Sequence, residues 1–128
     1  SQNKIIARRS MYSDPILAIQ NVIRDIYKTI KKYGKLENVS LSLLSLETYL
    51  SSETLREACR KSFIELEKIY AEKLRESGIF PQSAQNLGMV IQAMIEGAIT
   101  ISITKKDTTT LAAVAEQIAV IIKPYKTT

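Results

Sequence analysis

The feature that most constrains this chain is an apolar stretch near its C-terminus, residues 84–105, AQNLGMVIQAMIEGAITISITK. On a helical wheel with Ile91 at the origin, Ala84, Leu87, Ile95, Ala98 and Ser102 fall within about 40° of it. A second set, Val90, Met94, Gly97 and Ile101, lies one wheel step away and is equally apolar. Polar character is confined to a thin strip of Gln85, Gln92, Glu96 and Thr100. A surface helix needs one apolar stripe, whereas a helix apolar nearly all round must be covered on more than one side. One domain of this size covers one side. The other requires a ligand cavity or a second copy of the chain, and at this level both remain open.

The rest of the chain predicts a helical frame for that segment. Asp14-Pro15 reads as an N-cap followed by proline at the first helical position. Ile16, Ile19, Val22 or Ile23, Ile26, Tyr27 and Ile30 then recur at helical spacing, and Gly34 closes a helix over residues 15–33. Residues 1–14 read as the remnant of an earlier connecting helix. Residues 38–50, NVSLSLLSLETYL, alternate with a period of two, but a lone strand has no partner here. They are read as a short, imperfect helix lining a pocket. Ser51 or Ser52 caps a long helix over residues 53–77, closed by Gly78. Its stripe is Leu55, Cys59, Ser62, Phe63, Leu66, Ile69, Tyr70 and Leu74, and its charged face runs from Arg56 to Arg75. Pro81 starts the apolar helix. Asp107 caps a last helix over residues 108–123 with the stripe Leu111, Val114, Ala115, Ile118, Ile121 and Ile122; Pro124 ends it and residues 124–128 are a tail. The expected fold is all-α, an antiparallel bundle of about five helices in a single domain over residues 1–128, dimerising through the last two long helices.

Composition excludes more chemistry than it suggests. The chain has no histidine and one cysteine. The commonest general base and transition-metal ligand is therefore missing, and an internal disulfide is impossible. No Gly-rich phosphate loop, zinc spacing or calcium loop occurs. Cys59 sits on an apolar stripe as a small hydrophobe, and Glu47 and Glu96 are read as locally hydrogen-bonded carboxylates. We expect no enzyme, no metal and no cofactor. The net charge of +5 is spread over helix ends, where lysine meets the negative end of the helix dipole. No run of about 18 uninterrupted apolar residues predicts a membrane span, since Gln85, Gln92 and Glu96 break the longest one. The polar start and single cysteine point to the cytoplasm.

Two positive signals remain. Tyr27, Tyr49, Phe63, Tyr70, Met89 and Met94 are adaptable side chains able to line a cavity or to fill a solid core. Small residues, Gly88, Ala93, Gly97 and Ala98 on one helix and Ala112, Ala113, Ala115 and Ala119 on the next, let helix axes approach closely. Glycine inside a helix costs about 1 kcal/mol against alanine, so Gly88 and Gly97 each need a packing reason. Two such helices from each of two chains would form a four-helix interface about a two-fold axis.

The stretches LREACRKSFIELEKIYAEKLRESGI (residues 55–79), AQNLGMVIQAMIEGAITISITKKD (84–107) with its Glu96-Gly97-Ala98 step, and LAAVAEQIAVIIK (111–123) resemble the C-terminal domain of TetR-family transcriptional regulators, in particular the LmrA/YxaF-like branch. The resemblance covers residues 15–123. A Gly-Cys-Pro segment common in that branch is replaced by Gly34-Lys35-Leu36-Glu37, and the helix-turn-helix that the family places before such a bundle is expected to be missing from these residues. The resemblance implies the effector half of a dimeric repressor that binds a small lipophilic or aromatic molecule and touches DNA only through an N-terminal module missing here, with no membrane contact. It places the ligand pocket at Ile23, Tyr27, Leu43, Phe63, Tyr70 and Met94. It places the dimer contact at Leu87, Val90, Gly97, Ala98, Ile101, Leu111, Ala115, Ile118 and Ile122. A free-standing helical adaptor that docks a protein partner on its apolar helices is the alternative.

Overall fold

The computed structural model describes residues 14–33, 45 and 52–126. Among them are four α-helices and one short 3-10 turn: α1 (Pro15–Tyr33), α2 (Glu53–Glu76), α3 (Pro81–Lys105), α4 (Thr109–Ile122) and the turn Lys123–Tyr125. No strand occurs among the described residues. The expected helix at 38–50, with Leu43, Glu47 and Tyr49, lies outside them apart from Ser45, as does Gly34.

Local chemistry sets the boundaries. The Asp14 carboxylate accepts the Ile16 N–H at 2.9 Å, and Pro15 occupies the first helical position, where a missing N–H costs nothing. Of the two candidate serines, Ser52 is the N-cap of α2, its hydroxyl accepting the Leu55 N–H at 3.2 Å. At the end of α2 the Gly78 N–H bonds the Arg75 carbonyl and the Ile79 N–H bonds the Leu74 carbonyl. That pair defines a Schellman turn, and Gly78 supplies its left-handed residue at φ 100°. The same pair of bonds ends α3, from Lys106 to Ile103 and from Asp107 to Ser102, but there the left-handed residue is Lys106 at φ 55°. The last helix begins at Thr109 rather than Thr108, and Thr108 holds the N-cap position without its side chain capping the helix. Asp107, one residue earlier, still accepts the Thr109 N–H at 2.7 Å.

Short connections make α2–α3 and α3–α4 antiparallel neighbours, and α1 packs chiefly along α4. The core joins Ile16, Ile19, Ile23 and Ile30 of α1, Tyr70 and Leu74 of α2, Leu87, Ile91, Ile95 and Ala98 of α3, and Leu111, Ile118 and Ile122 of α4. The α2 stripe is buried at Cys59, Ile69, Tyr70 and Leu74. Leu55, expected on that stripe, is 46% exposed, because it lies in the first turn. Lys73, which the pattern did not single out, is buried. By length and composition α3 is able to cross a membrane. It instead lays one side into the bundle, burying Gln92 and Ser102 along with its aliphatic residues.

Candidate functional site

The helix α3 carries two unlike sides. The wheel sector centred on Ile91 is the buried one: Ala84, Leu87, Ile91, Ile95, Ala98 and Ser102 are all inside the bundle. Gly88 lies at its border, and a Cβ built there would sit 2.8 Å from the Glu67 carbonyl oxygen and 3.2 Å from the Ala71 Cβ. The absence of a side chain at 88 thus lets the α2 and α3 backbones meet. Gly97 has no such neighbour among the described residues, since a Cβ there would meet none of their atoms within 4 Å. It belongs to an exposed row with Val90, Ala93 and Ile101. On α4 the residues Ala112, Ala113 and Val120 are exposed as well, and Ala113 and Val120 are seven apart and so share a face.

Of the residues expected at a dimer contact, Val90, Gly97 and Ile101 lie on this open surface. Ala115 is half-buried. Leu87, Ala98, Leu111, Ile118 and Ile122 are buried in the core of the single chain. They face their own helices because adjacent apolar strips look alike in sequence, and only packing tells them apart.

The expected pocket residues also separate. Ile23 and Tyr70 share the core cluster, and Phe63 and Met94 are half-buried. Tyr27 stands apart, at the corner between α3 and α4: its hydroxyl accepts from Lys31 Nζ at 3.3 Å and hydrogen-bonds the Thr108 side chain. Those bonds, with the Lys31 charge, hold its pKa below the ordinary tyrosine value. Met89 is exposed beside an open surface groove of about 520 Å³ between α2 and α3, lined by Ile64, Ala71 and Met89 and rimmed by Glu67, Lys68, Glu72 and Arg75.

A polar group inside the apolar bundle emerges where the sequence showed only a thin strip. Gln92 is 3% exposed and donates from Nε2 to Glu96 Oε2 at 3.0 Å. Tyr70 of α2 is equally buried; burial pushes its hydroxyl pKa up, and the nearby Glu96 carboxylate adds to the shift. The Thr100 hydroxyl, four residues beyond Glu96, is buried without a hydrogen-bond partner among the described residues. An isolated polar atom in an apolar interior costs free energy, so a row of them along one helix edge calls for a reason. The i, i+4, i+8 spacing of Gln92, Glu96 and Thr100 was legible; the burial of Gln92 and the nearness of Glu96 to Tyr70 were not. No group of three or more potential metal-ligating side chains occurs among the described residues.

Comparison with known proteins gives a consistent answer. Residues 15–117 match the family described as the C-terminal domain of LmrA/YxaF-like transcriptional regulators. The chain is 40% identical over 111 residues to the uncharacterized HTH-type transcriptional regulator YxaF of Bacillus subtilis (strain 168), covering 87% of this chain and 58% of that protein. It is 35% identical over 111 residues to the HTH-type transcriptional regulator LmrA of the same organism, covering 87% of this chain and 59% of LmrA. The chain thus spans less than two thirds of each of these relatives. With a family match over 103 residues and two such relatives, the chain belongs to the LmrA/YxaF-like branch of the TetR transcriptional regulators, a non-enzymatic family, as a C-terminal domain.

Proposed function

We propose that this domain is the effector-binding and homodimerisation half of a cytoplasmic TetR-type repressor. The observation that carries the proposal is the open row of Val90, Ala93, Gly97 and Ile101 on α3. A glycine inside a 25-residue helix with no neighbour among the described residues is costly unless another backbone comes close to it. A second copy related by a two-fold axis supplies such a backbone, since the same small-residue row then faces itself. The exposed Ala113 and Val120 of α4 extend the candidate contact.

The effector is a small lipophilic or aromatic molecule held between the α2–α3 half and the neighbouring segments, with Tyr70, Gln92 and Glu96 as its polar contacts. DNA is contacted by an N-terminal module of the kind that the names of the relatives describe. An effector that binds one bundle conformation better than another shifts the dimer toward it and so changes the spacing of the two reading heads. Sedimentation velocity at tens of micromolar tests the dimer. The wild type should sediment as a dimer and Gly97→Glu as a folded monomer, whereas a wild-type monomer refutes it and favours docking of a different protein. A thermal-shift screen against lipophilic and aromatic compounds tests the effector site, because a ligand specific for the native state raises Tm. Stabilisers whose effect is lost in Tyr70→Phe and Gln92→Leu support it, and none from a broad panel refutes it.

A further inference from the structure

Three polar contacts between α1 and α4 follow one another in reverse order along the two helices. At the start of α1, Asp14 pairs with Lys126, whose Nζ lies 3.6 Å from Oδ1, just beyond the turn that ends α4. Near the middle, Gln20 Nε2 donates to the Ala115 carbonyl oxygen at 2.9 Å. Toward the end of α1, Tyr27 hydrogen-bonds Thr108, the N-cap residue of α4. Position 14 meets 126, 20 meets 115 and 27 meets 108, so the helices lie antiparallel in one register. Toward α2 and α3, in contrast, α1 presents Ile16, Ile19, Ile23 and Ile30 to a shared aliphatic core, and its contact with those two helices is slight.

The two kinds of contact resist different motions. Hydrogen bonds and ion pairs have preferred distances and directions, and a slide of one helical turn breaks them. Apolar burial is non-directional, and aliphatic side chains keep most of it through small shifts. We infer that α1 is carried by α4: Asp14, Gln20 and Tyr27 hold it in fixed register on the last helix, so that a displacement of α4 takes α1 with it. The start of α1 at Asp14 therefore follows the last helix and its terminal turn. The tie stands independently of the proposed dimer; its consequence for signalling rests on that reading, because α4 would then join the subunit contact directly to the entry point of the chain. Asp14 holds a double position in this arrangement, since the same oxygen caps α1 and faces Lys126.

Hydrogen–deuterium exchange on the whole chain tests the tie. The variant Gln20→Ala/Tyr27→Phe/Lys126→Ala changes partly exposed side chains and spares the core. Its α1 amides should exchange about tenfold faster than in the wild type, with α2 and α3 unchanged. Unchanged exchange in α1 overturns the inference, and so does an equal rise in all four helices, which would mark a general loss of stability. The single variant Lys126→Glu faces Asp14 with a like charge. It should raise exchange at residues 16–19 by up to about fivefold at low salt, and added salt should remove the effect by screening. An effect indifferent to salt counts against the ion pair. Sedimentation of the same samples reports the dimer separately, so the tie can fail while the dimer stands, and the reverse.

Discussion

Gly88 and Gly97 sit nine positions apart on one helix, and their surroundings are opposite. At Gly88 the backbone of α2 comes so near that even a methyl group would collide with the Glu67 carbonyl. At Gly97 a methyl group would stand in open space. The same residue type, at the same intrinsic cost to the helix, is accounted for within the chain at one place and left without an account at the other. Glycine in a helix is thus evidence of a close approach, but the approaching backbone need not belong to the same chain.

The largest expected effect tests the buried side. Ile91→Ala removes a fully buried side chain from the centre of the bundle and should lower stability by about 2–5 kcal/mol in urea unfolding, through lost transfer energy and the cavity left behind. Ile101→Ala, on the open side, should change the stability of the monomer by less than about 0.5 kcal/mol. Similar losses at both positions would dissolve the distinction between the sides.

Next in size is the pair of glycines. Gly88→Ala gains about 1 kcal/mol of helix propensity but forces α2 and α3 apart, at a cost of about 1–3 kcal/mol. We expect a net fall in Tm. Gly97→Ala meets no neighbour, so the monomer should gain up to about 1 kcal/mol. A rise at 88 or a fall in the monomer at 97 would break the comparison. Smaller still is the end of α3. Lys106 holds a left-handed conformation that glycine adopts freely, as Gly78 does at the end of α2. Lys106→Gly should stabilise by up to about 1 kcal/mol, read from Tm.

The smallest effect depends on pH. The Thr109 N–H bonded to Asp107 holds its carboxyl below the usual aspartate pKa. A carboxyl with a depressed folded-state pKa stabilises the fold above its unfolded pKa and loses that contribution as pH falls through the folded value. Wild type should therefore be slightly more stable than Asp107→Ala at neutral pH, and the gap should close on acidification below about pH 4. A gap unchanged across that range would mean that Asp107 acts through something other than its charge.

Much of this architecture was readable before any coordinates. The starts of α1 and α2 follow from Asp14-Pro15 and the Ser51-Ser52 pair, of which the structure selects Ser52, because a cap works through bonds within a few residues of itself. The burial of Ile91, Ile95 and Leu74 follows from helical spacing. The turn at Lys106 was not readable, since nothing but the packing of α4 requires a left-handed residue there. Nor was the fate of Gln92. As one member of a polar strip it needed either water or a hydrogen-bond partner, and it is buried with Glu96 as that partner. Tyr27 and Tyr70 were equivalent as aromatic residues on apolar stripes, and the fold sends one to the α3–α4 corner and the other into the core.

The sequence by itself determined that this chain forms helices, where the main ones begin, and that the helix from Pro81 to Lys105 is too apolar for one covered face. Those properties are set by neighbours three or four residues away, whose spacing is written in the chain. Only the tertiary structure decided which of two adjacent apolar strips turns inward. Leu87, Ala98, Leu111, Ile118 and Ile122 went into the core, and Val90, Gly97 and Ile101 stayed outside. The strips are nearly equal in hydrophobicity, so the choice falls to the crossing of α2 on α3. That crossing is possible where Gly88 lets the two backbones touch.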